Sequence, residues 1–308
     1  GEVEMFITNT GRATGGWFWT VGLAGTMALL CGHPQAARAA KPDVASRAGA
    51  VAVQQIDDYA AATEAARSAG GMLLVSVEPA AAGDTDMAGS HLARPDVHRR
   101  FATSGTPWIF CRIGMDQGGA DLAAEPALAE MRRGPGVFVV DHGPGDYAGR
   151  VVSILPRSPG KYYRFSPEHI DELPGLPRAS LTQRSLILAV RLHPEQPQST
   201  AGTCDPVLCQ EAAAHSAHQA SIRRQGHHDW QTRSQRITGA LGGLGSAAEV
   251  CAESWAHQDL LDSCVDCVAS WRQSSGHWNA VRSPQSAYGY DIRRGGNGIW
   301  YATGIFMR

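Results

Sequence analysis

The sequence predicts an α/β protein built in two parts, and three observations carry that prediction. The chain has 308 residues, enough for two domains that each bury a core. Between Val51 and Leu173, helical and strand-like patterns alternate along the chain. Between Cys204 and Arg308, helical stripes surround a few short strand runs instead.

The elements of the first part follow in order. Ile56–Ser68 is an Ala-rich helical segment that stops at Gly70-Gly71. Met72–Val77 is an apolar run bounded by Gly71 and Pro79, the pattern of a buried strand. A helix over Asp96–Thr103 leads to a second strand, Trp108–Ile113, and Leu122–Arg132 again has helical spacing. Val137–Asp141 and Arg150–Leu155 form a hairpin around the turn Gly143-Pro144-Gly145-Asp146. Ser166-Pro167 then starts a covering helix.

This order resembles the thioredoxin fold over Val51–Leu173, with Pro135 where that fold carries its cis-proline. The likeness stops at the redox position. Glu78-Pro79-Ala80-Ala81-Ala82-Gly83-Asp84 holds no cysteine where Cys-x-x-Cys would stand, and Cys111 falls inside a strand pattern. Residues 51–175 are therefore expected to be a thioredoxin-like packing or partner-binding module without redox chemistry.

Residues 176–203 are expected to hold a loop (Pro174–Ser180), a strand (Leu186–Leu192) and a linker (His193–Ser199). In the second part, Pro206–Arg224 is helical, with Leu208, Ala212, His215, Gln219 and Ile222 on one stripe and His218 at its edge. A core histidine hydrogen-bonded in place competes with a cleft role for His215. Glu249 and Glu253 are spaced to share one face of a short helix. Leu260–Gln273 is helical up to Ser274-Ser275-Gly276, and His277 follows the break. Ala287–Ile292 and Ile299–Phe306 are strands joined by a glycine-rich turn.

The formal charge of −2 and the scattered Arg pairs exclude a basic field, so nucleic acid is not an expected partner. Residues 1–40 carry a secretion-signal pattern with Met5 as candidate initiator: Arg12, the uncharged run Trp17–Cys31, then Ala37-Arg38-Ala39. The run is shorter than the ~20 residues of a spanning helix, which favours a removed signal over a retained anchor. A lipoprotein at Cys31 is the lesser alternative, because Leu30 stands where a small residue is expected. The mature chain is thus expected outside the cytoplasm and not membrane-spanning. Cys111, Cys204, Cys209, Cys251, Cys264 and Cys267 remain after the leader, which fits disulfide use in export. Cys204–Cys209 is the preferred bridge.

The C-terminal segments have a specific likeness. Ala214-His215-Ser216, His227 after Gly226, Ala248-Glu249-Val250-Cys251-Ala252, Trp271-x-x-Ser274-Ser275-Gly276-His277-x-Asn279 and Gly298-Ile299-Trp300-Tyr301-Ala302-Thr303 occur in that order. Over 204–308 the chain resembles the CAP superfamily of cysteine-rich secretory, antigen-five and pathogenesis-related proteins. The resemblance implies an α-β-α sandwich with a cleft of two histidines and two glutamates, which holds a divalent metal in some members. Carried over residue by residue, His227, Glu249 and His277 match, with His228 the alternative for His227 if the doublet shifts by one. Ser270, Arg272 and Gln273 stand where the second glutamate belongs, and Glu253 is the available substitute.

Two imidazoles and a carboxylate would suit zinc with an open position, or a general acid/base pair. No Ser or Cys has an identifiable base partner, and Cys264-x-x-Cys267 sits in mid-helix, without the helix N-terminus that activates a thiol. Three readings follow. The favoured one is an exported protein that binds a small-molecule or envelope ligand. A metal-dependent hydrolase using His227, Glu249 and His277 is the alternative. A disulfide-stabilised envelope protein with a vestigial cleft is the third.

Overall fold

The computed structural model describes residues 53–79, 87–119, 122, 125–243 and 245–308. The leader at 1–40, with Met5 and Cys31, and the Ala80–Asp84 stretch lie outside them. The protein is mixed α/β with two mixed sheets.

The first sheet has five strands: β1 (Gln54–Gln55), β2 (Met72–Glu78), β3 (Trp108–Gly114), β4 (Gly136–Asp141) and β5 (Arg150–Pro156). Their order is β1-β3-β2-β4-β5. β1, β3 and β2 are parallel, and β4 and β5 add on in antiparallel pairs. β2 is apolar at nearly every position because both of its faces are covered. Helix α1 (Tyr59–Ala69) begins later than the Ala-rich pattern, because the Asp58 side chain accepts the Ala61 N–H at 2.7 Å and fixes the start. It ends where Gly70 turns left-handed at φ 59°. Helices α2 (Met87–Leu92) and α3 (Pro95–Ala102) follow β2. The expected helices near Leu122–Arg132 and at Ser166-Pro167 are 3-10 helices, over Pro126–Arg133 and Pro167–Gly175. The peptide before Pro135 is trans, so the expected parallel with a cis-proline fails.

The expected strand Leu186–Leu192 is instead part of helix α4 (Leu181–Arg191). Ser180 and Gln183 cap it reciprocally: Ser180 Oγ accepts the Gln183 N–H at 3.3 Å and Gln183 Oε1 accepts the Ser180 N–H at 3.0 Å. Leu186, Ile187, Leu188, Ala189 and Val190 are all buried, so this continuous apolar run mimics a buried strand. It packs on β5 of the first sheet and on strand β8 (Ala287–Arg294) of the second. Arg184, fully buried, donates to Ser153 Oγ at 2.8 Å and to the Pro177 carbonyl at 2.7 Å.

The second sheet runs β6-β8-β9-β7, with β6 (Thr203–Cys204), β7 (Ala247–Glu253) and β9 (Trp300–Met307) joining β8. β6 is parallel to β8, and the other pairs are antiparallel. Strand alternation divides its side chains between two layers. Ala248, Val250, Tyr290 and Phe306 face a core shared with α4, α7 (Leu260–Gln273) and α8 (Ser275–Arg282). Ala247, Ile305 and Met307 face α5 (Pro206–Ile222) and α6 (Trp230–Ala240).

The short helix expected to carry Glu249 and Glu253 is β7, paired along its whole length with β9. In a strand, residues two apart share a face, so Cys251 joins Glu249 on the α5/α6 side. All six described cysteines carry free thiols, and the expected Cys204–Cys209 bridge is two thiols with sulfurs 3.3 Å apart. Among the described residues, no helix is long and apolar enough to cross a membrane.

Candidate functional site

The site lies beside β7, one of the two edge strands of the second sheet. Glu249 projects from it between α5 and α6, with no exposed side-chain surface. His227 comes from the turn between those helices, and its Nδ1 is 3.0 Å from Glu249 Oε1. His277, in the first turn of α8, brings its Nε2 to 3.4 Å from His227 Nε2. The three residues expected to form a cleft therefore meet in one chain of contacts, Glu249–His227–His277.

The partners set the tautomers. His227 Nδ1 faces a carboxylate and donates its proton there, while the Nε2 atoms of His227 and His277 face each other as one donor and one acceptor. Burial, together with the neighbouring His227, pushes the His277 imidazole down to about 4, so it is neutral at pH 7.

Two further residues, given no site role by the sequence, adjoin the Glu249–His227 pair. Arg233 of α6 donates from Nη2 to Glu249 Oε2 at 2.5 Å. Cys251, two residues along β7, places Sγ 3.8 Å from His227 Nδ1. Burial raises the carboxyl's affinity for its proton, but the His227 hydrogen bond and Arg233 outweigh it and hold Glu249 below its ordinary value. The Cys251 thiol is pushed well up by burial and by the Glu249 charge.

His215 is hydrogen-bonded in the core and also lies beside Glu249. It is a buried histidine of the α5 stripe, bonded through Nε2 to the Gly226 carbonyl at 2.9 Å. That same nitrogen lies 3.8 Å from Glu249 Oε1. Burial lowers its imidazole to about 4. Gln219, one turn further along α5, accepts the Gly226 N–H at 3.0 Å and so fixes the turn that carries His227.

The structure resolves the histidine doublet in favour of His227. His228 turns the other way, with Nε2 3.3 Å from the Arg224 carbonyl and its ring 5.4 Å from that of exposed His218. These two and His215 border a surface cavity of about 310 Å³ that also touches Glu211 and Arg236. Glu253 is not brought into this group: it is exposed at the end of β7. Arg233 lies over the Trp230 ring and Trp278 packs at a tilt against His193, and the His227 and His277 Nε2 atoms meet directly at 3.4 Å.

Strand alternation could have pointed to Cys251 had β7 been recognised. Arg233 and Gln219 carry no local signal, because their roles arise only when α5, α6 and β7 pack together. No protein-family model and no curated protein matches this chain.

Proposed function

We propose that the chain is an exported protein whose residues 204–308 form a CAP-type domain that binds a small-molecule or envelope ligand without turning it over. The single observation behind this reading is the engagement of Glu249: Oε1 is bonded to His227 and Oε2 to Arg233. A carboxylate paired at both oxygens is not a free base. Among the described residues, the thiol beside it is that of Cys251, which is buried and held protonated, so it is not a nucleophile. The layered arrangement of α5 and α6 against β7, β8 and β9 supports the CAP-type reading. The sheet order β1-β3-β2-β4-β5 supports a thioredoxin-like partner module over 51–175.

A metal-dependent hydrolase is the second reading, and one distance favours it. Two imidazole nitrogens on a tetrahedral zinc stand roughly 3.3 Å apart, from Zn–N bonds of ~2.0–2.1 Å. The His227 and His277 Nε2 atoms are 3.4 Å apart. Glu249 would then orient His227 from behind, as carboxylates do for metal-bound histidines.

Hydrolysis of p-nitrophenyl acetate and of casein by the zinc-supplemented protein separates the two readings. The binding reading expects no rate above that of the His227→Ala and His277→Ala variants. A zinc-dependent rate lost in both variants would establish the hydrolase instead.

A further inference from the structure

A second group of side chains of metal-ligating type adjoins the His227–His277 pair and includes sulfur. One donor atom each from His215, Glu249 and Cys251 falls within 4.8 Å of the others, and all three residues are buried. His227 Nδ1 adjoins the same group, 3.0 Å from Glu249 Oε1 and 3.8 Å from Cys251 Sγ. We propose that His215, Glu249 and Cys251, completed by His227 through Nδ1, form a closed structural site for a thiophilic divalent ion of the zinc class.

The donor chemistry selects that class. One thiolate, two imidazoles and one carboxylate suit zinc, whereas magnesium and calcium prefer oxygen alone. Zn–N bonds of ~2.0–2.1 Å and Zn–S bonds near ~2.3 Å put tetrahedral donors roughly 3.3–3.6 Å apart. The donor atoms of His215, Glu249 and Cys251, all within 4.8 Å of one another, would draw together by roughly an ångström to reach those spacings.

The surroundings are also those of a metal site. With Nδ1 on the ion, His227 carries its proton on Nε2 and donates it to His277 Nε2, 3.4 Å away. Arg233 stays on Glu249 Oε2, which leaves Oε1 for the ion. His215 exchanges its bond to the Gly226 carbonyl for the ion and moves its proton to Nδ1. Cys251 loses its thiol proton to solvent, so one proton leaves for each ion bound. The two negative ligands balance the charge of the ion. Four protein ligands leave no open position, so this site supports structure and not hydrolysis.

Cobalt(II) titration of the full chain, kept reduced, tests the assignment. One equivalent is expected to give a thiolate-to-cobalt charge-transfer band in the near ultraviolet. The band is expected to persist in the Cys204→Ser/Cys209→Ser variant and to vanish in Cys251→Ser. His277→Ala is expected to weaken affinity about 10- to 100-fold while keeping the band, as loss of an outer-sphere partner does. X-ray absorption at the zinc edge of the unmutated protein gives a check that does not depend on a variant folding, and one sulfur in the inner sphere is expected. Absence of the band, its survival in Cys251→Ser, or zinc bound by nitrogen and oxygen alone would overturn the proposal. The last result would place the ion on the His227–His277 pair and leave the binding reading of the cleft to its own assay.

Discussion

Arg233 donates from Nη2 to Glu249 Oε2 at 2.5 Å, where the carboxylate has no exposed side-chain surface and the arginine very little. A buried pair of this kind adds little over a well-packed apolar pair, yet breaking it from one side strands a charge. Arg233→Met is therefore expected to cost about 3–5 kcal/mol in urea unfolding. The double variant Arg233→Met/Glu249→Gln is expected to recover part of that loss. Equal stability of the single variant and the unmutated protein would show that Glu249 is not charged in the folded state.

The two depressed histidines make stability depend on acid. His215 and His277 sit at about 4 in the folded protein, against an ordinary value of 6.5. Between those values the unfolded chain binds more protons than the folded one, so stability falls as pH drops from 6.5 toward 4. The urea midpoint is expected to decline across that window and to decline less steeply in His277→Asn. A flat profile would contradict the burial of both imidazoles as neutral groups.

Cys204 and Cys209 are placed to close a disulfide under oxidising conditions. Their sulfurs are 3.3 Å apart, and the hydrogen bond from Cys209 holds the Cys204 thiol below its ordinary value. Mild oxidation is expected to remove two hydrogens from the mass of the peptide spanning both residues and to block its alkylation. The short loop gives a stabilisation of about 2 kcal/mol. Full alkylation of both thiols after oxidation would rule the bridge out.

Helix α4 depends on its cap. Ser180→Ala removes the Oγ that accepts the Gln183 N–H and is expected to lower stability by about 1 kcal/mol. Arg184→Leu, which empties several backbone and hydroxyl acceptors at once, is expected to cost more. Thermal unfolding of the two variants orders the effects, and the reverse order would contradict the buried network.

The elements legible in the sequence were those with one polar face or a clear stop. α1 ends at Gly70, α5 carries its stripe through His215, and the hairpin of β4 and β5 flanks its glycine-proline turn. α4 and β7 were misread for opposite reasons. α4 is buried on nearly every side from Gln183 to Val190 because it lies between two sheets, so its run Leu186–Val190 is unbroken by the polar residues that mark a helix's exposed face. In β7, the spacing of Glu249 and Glu253 satisfies a helix and a strand equally, and only pairing with β9 decides. The positions of His227, Glu249 and His277 could be foreseen from their order along the chain. The ion pair with Arg233 and the approach of Cys251 could not, because they depend on where α6 and the edge strand come to rest.

The burial of α4 against both sheets bears on how the molecule comes apart. Its apolar surface belongs to neither half alone, so separating the halves would leave Leu186, Ile187, Leu188, Val190 and Ala189 without cover on one side. The region between the sheets is accordingly no hinge. Melting is expected to be a single cooperative event, and a proteolytic cut within 176–203 would release no stable fragment from either end.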